Sequence, residues 1–147
     1  MSENFQNTVV VVTGGSKGIG LAVARLFARA QARVAIISRT QANLDEAVRT
    51  LADENLQVWP VAADLSDAQQ AEQAIARIED ALGPVGVLIN SAGAAQRAEP
   101  EDLDPARWRA ALDAKFFPYI HAQHAVLKRL RARAPQAIAG QPVHAGA

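Results

Sequence analysis

The chain has 147 residues, half of them hydrophobic and 20% charged, with 15 Lys and Arg exactly offset by 15 Asp and Glu. Such proportions describe one soluble globular domain and exclude a collagen, a disordered tail and a membrane protein. With no cysteine there is neither a disulfide framework nor a thiolate metal site, as expected in a reducing compartment.

Met1 to Thr8 carries one acid and no basic residue, and the apolar run that follows is too short for a secretion signal or a membrane span, so a cytoplasmic location is expected. Val9–Thr13, Arg33–Ser38, Gln57–Ala62 and Val85–Asn90 are short runs rich in Val, Ile and Leu. They are continuous rather than alternating, which predicts four strands covered on both faces. Each gap between them holds one helical pattern. The first runs through Ile19, Val23, Leu26 and Ala30, the second through Leu44, Val48 and Leu51, and the third through Ala71, Ile75, Ile78 and Leu82.

Ser66 with Gln69 has the form of a capping box at the start of the third helix, Gly83 suits a left-handed close and Pro84 stops continuation. A fourth helix opens with Asp104 as cap and Pro105 at the first position. It continues through Trp108, Leu112, Phe116, Ile120, Leu127 and Leu130, with a kink predicted at Pro118. Trp108, Phe116, Phe117 and Tyr119 are expected to pack on the sheet. Residues 1–133 then form the domain, and 134–147, holding Pro135, Gly140, Pro142 and Gly146, an irregular tail. Strict alternation of strand and helix requires parallel pairing with right-handed crossovers. The fold class is therefore α/β, a doubly wound parallel sheet ending after four strands, in the order 3-2-1-4 by analogy with such folds.

The strongest local signal is Thr13-Gly14-Gly15-Ser16-Lys17-Gly18-Ile19-Gly20 at the junction of the first strand and first helix. In a dinucleotide site one glycine makes the tight turn, another lets the backbone approach the diphosphate and a third lets helix and strand pack closely. Gly14, Gly18 and Gly20 can fill those roles. At the end of the second strand stands Ser38-Arg39-Thr40, with no acid before Asp45. A ribose 2′-hydroxyl is held by an acid about 20 residues past the glycines, whereas a 2′-phosphate needs cations there. Arg39 and Lys17 supply two, so the expected cofactor is NADP rather than NAD.

The turn from Thr13 to Gly20, the Asp64-Leu65 pair after the third strand and Asn90-Ser91-Ala92-Gly93 after the fourth together resemble the classical short-chain dehydrogenase/reductase family, with its Rossmann-like fold, over roughly Thr8 to Arg133. The resemblance implies that Asp64 hydrogen-bonds the adenine amino group and that Leu65 supplies backbone beside it. It also implies that Asn90, Ala92 and Gly93 line the cofactor ribose and that Ile19 lies near the nicotinamide. The candidate cofactor-binding set is Gly14, Ser16, Lys17, Gly18, Ile19 and Gly20, then Ser38, Arg39 and Thr40, then Asp64, Leu65, Asn90, Ala92 and Gly93.

Three departures from the family pattern bear on activity. Ser91 replaces the second asparagine of its N-N-A-G motif, Lys115 stands where the fourth helix should carry an asparagine, and Tyr119 is followed four residues on by Gln123, so no Tyr-x-x-x-Lys occurs. No catalytic residue is assigned. His121 and His124 at helical spacing lack a third ligand, and no metal is expected. The reading is an NADP(H)-binding module related to oxidoreductases; a reductase completed by another chain and a nonfunctional truncated fragment with a tail read in an altered frame stay open. A fourth strand left at an edge, or the fourth helix, predicts pairing with a second copy. Lys115, Lys128, Arg129, Arg131 and Arg133 follow the last acid, Asp113, but without paired aromatics they make a poor nucleic-acid footprint.

Overall fold

The computed structural model describes residues 5–93 and 98–134. Four parallel strands, β1 (Val9–Thr13), β2 (Arg33–Ser38), β3 (Val58–Ala62) and β4 (Val85–Asn90), form one sheet in the order β3-β2-β1-β4. They are separated by α1 (Gly18–Arg29), α2 (Gln41–Ala52) and α3 (Ala68–Leu82). A single 3₁₀ turn at Pro100–Asp102 precedes α4 (Pro105–Lys115) and α5 (Phe117–Arg133). Of the irregular tail expected at 134–147, all but Ala134 lies outside the described residues.

The alternation of side chains along β1 divides the core. Val10 and Val12 face α1 and α2, packing with Ala24, Leu44, Ala47, Val34 and Ile36. Val9 and Val11 face the other layer, where Ala71, Ala74, Ile75 and Ile78 of α3 meet Ala122, Ala125 and Val126 of α5. Only β1 and β2 are covered as the sequence suggests. β3 and β4 are edges among the described residues and half-exposed, and Trp59 on β3 is 46% exposed. An unpaired outer edge is also why β3 tolerates Pro60, which has no N–H to offer a neighbour.

Several local expectations are corrected. The third strand begins at Val58 rather than Gln57. The cap of α3 is Asp67, whose carboxylate accepts from the N–H groups of Gln69 and Gln70, while Ser66 donates both N–H and Oγ to Asp64 Oδ1. Those backbone donors, Gln70 foremost, hold the Asp67 carboxyl below the usual aspartate range. Gly83 has positive φ but extended ψ, not a left-handed helical close. The fourth helix becomes two, broken at Phe116 with Pro118 in the first turn of α5, where its missing N–H costs nothing.

Helix faces also differ. In α1 the buried residues are Gly20 and Ala24, while Ile19 and Leu26 point outward. In α5 the sheet-facing residues are Pro118, Ala122, Ala125 and Val126. Trp108, Leu112, Phe116, Phe117, Ile120, Leu127 and Leu130 are exposed rather than packed on the sheet. Small residues win these contacts because they let the helix axis approach the strands closely.

The basic last quarter finds partners on α3. Arg129 pairs with Glu72 at 2.8 Å and Glu79 at 3.2 Å, and Arg133 pairs with Glu79 at 2.8 Å. Glu79 Oε1 also accepts from the N–H of Val85, while Arg133 donates to the Val85 carbonyl. One carboxylate thus joins the end of α3, the start of β4 and the end of α5. Glu79→Ala removes one carboxylate partner from each of Arg129 and Arg133, which keep Glu72 and the Val85 carbonyl, and leaves the Val85 N–H without its acceptor in a half-buried setting. The expected loss is about 1–3 kcal/mol of unfolding free energy, read from urea denaturation at unchanged m-value.

Candidate functional site

The carboxyl ends of the strands frame a cleft of about 650 Å³. Its position follows from connectivity. The chain leaves β1 toward β2 on one side, and β4 is added on the other, so the segments following β1 and β4 part and a crevice opens between them.

The glycine turn forms its floor. Gly14 has φ of 65°, its N–H donates to the Ile37 carbonyl, and a Cβ there would stand 2.7 Å from the Ser91 carbonyl oxygen. Only glycine meets both demands. A Cβ on Gly20 would collide with the carbonyl oxygen of Gly14, so its bareness lets α1 start against the strand end. Gly18 faces open space. The N-cap position of α1, Lys17, has no side-chain cap, and the first intrahelical bond is Leu21 N–H to the Lys17 carbonyl. The N–H groups of Gly18, Ile19 and Gly20 precede that bond, and together with the helix dipole they favour an anion.

Two hydroxyls brace this turn. Ser16, largely buried, donates from Oγ to Ser38 Oγ at 3.1 Å and so ties the turn to the end of β2. Thr13, fully buried, accepts at Oγ1 from the N–H groups of Ser91 and Ala92, each at 3.1 Å. The turn after β4 is therefore anchored through main chain, and a serine at 91 suffices there. Behind the wall residue Leu65, His121 donates from Nδ1 to the Leu65 carbonyl at 2.8 Å, which links α5 to the loop after β3.

Of the expected cofactor residues, Gly14, Ser16, Lys17, Gly18, Ile19, Ser38, Arg39, Asp64, Leu65, Ala92 and Gly93 all line the cleft. Gly20, Thr40 and Asn90 do not. Gly20 is buried beneath the turn, Thr40 is the N-cap position of α2, and Asn90 has a buried side-chain oxygen with no hydrogen-bond partner among the described residues. Asp64 lends one oxygen to Ser66, so it also organises the start of α3. The structure adds Asn43 from the first turn of α2 and Asp113, Ala114 and Pro118 from the α4–α5 break. A lone hydroxyl closing a run of four valines was a legible sign for Thr13. No sequence signal could have paired His121 with a carbonyl so far away along the chain. Among the described residues no group of three His, Cys, Asp or Glu side chains could hold a metal ion, and no helix is long and apolar enough to cross a membrane.

Over residues 8–140 the chain matches the family model described as short chain dehydrogenase. It is 42% identical over 104 residues to a short chain dehydrogenase of Pseudocercospora fijiensis, covering 68% of this chain and 34% of that protein. It is 35% identical over 127 residues to galactitol 2-dehydrogenase (L-tagatose-forming) of Cereibacter sphaeroides, covering 86% of this chain and 49% of that one. The apo form of LigO from Sphingobium sp. strain SYK-6 superposes with a TM-score of 0.84 at 32% identity, over 89% of this chain and 49% of that structure. The chain thus spans between about a third and a half of the length of these relatives.

Thr13→Val removes the acceptor that Ser91 and Ala92 share while keeping shape. The two amides lose their partner, and the variant is expected to lose about 1–3 kcal/mol of stability with faster hydrogen exchange at both positions. Exchange rates equal to those of the parent would show that the turn after β4 is held by other means.

Proposed function

The chain belongs to the short-chain dehydrogenase family, and we propose that residues 1–133 form an NADP(H)-binding module of a cytoplasmic oxidoreductase. The observation that carries this reading is Arg39, exposed on the cleft wall at the end of β2, where no acid stands. Beside it α2 begins without a side-chain cap at Thr40, and Asn43 from its first turn joins the wall. A guanidinium fork, a helix N-terminus and an amide suit a phosphate monoester better than a free ribose hydroxyl. The α1 N-terminus and Lys17 would hold the diphosphate, and Gly18, which borders open space, keeps its approach free of a side chain.

When bound, NADPH supplies a hydride, and carbonyl reduction also needs a proton donor positioned at the developing alkoxide. The 147 residues contain no Tyr-x-x-x-Lys, so on this reading that donor comes from outside them. The module binds and orients; it does not complete the reaction. Calorimetric titration is expected to give tighter binding of NADP than of NAD, with Arg39→Ala weakening NADP about tenfold to a hundredfold and leaving NAD unchanged. NADPH is expected to persist when a panel of aldehydes and ketones is added. Equal affinity of the parent for the two nucleotides would remove the phosphate assignment, and oxidation would favour a reductase active in its own right.

Self-association belongs to the same reading. The outward faces of α4 and α5 carry Trp108, Leu112, Phe116 and Ile120, and β4 has an outer edge with no partner strand among the described residues. Both features favour contact with a second copy. Light scattering on the purified chain is expected to give a dimer or larger species, and a monomer at micromolar concentration would contradict it.

A further inference from the structure

We propose that Lys115 binds the half of the dinucleotide that lies over β4, its ammonium donating to ribose hydroxyls on the side remote from Arg39. The inference rests on the dinucleotide reading and adds a residue to it. Lys115 ends α4, directly after the cleft-lining pair Asp113 and Ala114 and before Pro118, which lines the cleft from α5. Its stem lies over the turn that follows β4. A Cβ built on Gly93 would stand 3.1 Å from Lys115 Cδ and 3.6 Å from Nζ, and Gly93 itself lines the cleft. The glycine leaves the room that the lysine stem occupies.

Position in the sheet assigns the ligand group. A dinucleotide laid across the carboxyl ends of the strands places its diphosphate at the N-terminus of α1, with one nucleoside to each side. The side over β2 and β3 is furnished with Arg39, Asn43 and Asp64. The side over β4 is mostly small and apolar, with Ala92, Gly93, Ala110 and Ala114, and its lining side chains include a hydroxyl at Ser91 and a carboxylate at Asp113 but no cation. Lys115 stands at the rim of this second side, with three donors on a flexible four-carbon stem. Among the described residues it makes no ion pair, whereas Lys128, Arg129 and Arg133 on α5 are engaged with Glu72 and Glu79. Vicinal ribose hydroxyls present acceptors that an ammonium can meet without displacing a competing carboxylate.

The test compares two ligands on three proteins. NADP reaches both sides of the cleft, whereas 2′,5′-ADP carries the phosphate read by Arg39 but has no second nucleoside. Lys115→Met is expected to weaken NADP about tenfold while leaving 2′,5′-ADP unchanged, and Lys115→Arg to retain most of the NADP affinity. Unchanged NADP affinity in Lys115→Met would overturn the assignment. So would an equal loss for both ligands, because 2′,5′-ADP does not extend over β4. If the parent chain binds neither ligand, the dinucleotide reading fails, and this inference fails with it. If it binds 2′,5′-ADP alone, the adenosine side stands and the Lys115 assignment falls.

Discussion

The close approach at the carboxyl end of β1 is the constraint on which the cleft depends. The buried hydroxyl of Thr13 draws the amides of Ser91 and Ala92 onto β1, and that brings the Ser91 carbonyl against Gly14 and leaves no room for a side chain there. Gly20 must then be bare as well, since the carbonyl of Gly14 occupies the space its Cβ would need. Strand end, glycine turn and helix start are thus one packed unit. Loosening any one contact would move the N–H groups of α1 relative to the wall made by β4.

That unit explains why the glycines are spread as they are. Gly14 and Gly20 are required by neighbouring protein atoms, whereas Gly18 borders open space. A glycine excluded from contact with its own chain is the one positioned to admit a ligand close to the backbone. The same distinction applies across the cleft, where the space above Gly93 is taken by the stem of Lys115.

The sequence made the central elements legible because their signals were redundant. β1 and β2 are runs of β-branched residues with turn residues at both ends, and their limits agree with the structure residue for residue. Parallel pairing followed from the crossover rules, and the strand order 3-2-1-4 by analogy with doubly wound folds. Elsewhere a single signal had to choose between near equals. Ser66 and Asp67 are adjacent cap residues, and the second prevails because the first is held by Asp64. Hydrophobic periodicity misread α1 and α5 because it ranks Ile19, Leu26, Ile120 and Leu127 above Gly20, Ala24, Ala122 and Ala125. Against a twisted sheet size decides, and the small residues are the ones buried. Within the site, residues local to a strand end were readable, while Asn43 and Pro118 reach it, and His121 braces its Leu65 wall, from elements whose placement no local pattern encodes.

Net neutrality conceals a division of labour among the cations. Arg25 and Arg29 are joined to Glu54, and Arg129 and Arg133 to Glu72 and Glu79, so these charges hold helices to their neighbours. Lys17 and Arg39 line the cleft and form no ion pair among the described residues, and Lys115 at its rim forms none either. The acids that balance them in the sum are used elsewhere: Asp67 caps α3 and Asp104 caps α4. Asp64 and Asp113 are the carboxylates that line the cleft, and Asp64 already accepts from Ser66. The lining thus sets two cations against two carboxylates, and Lys115 at the rim adds a further positive charge without an ion-pair partner among the described residues. Long-range attraction for anions is then weak, and recognition depends on short contacts inside the cleft, where two uncapped helix starts and a guanidinium converge.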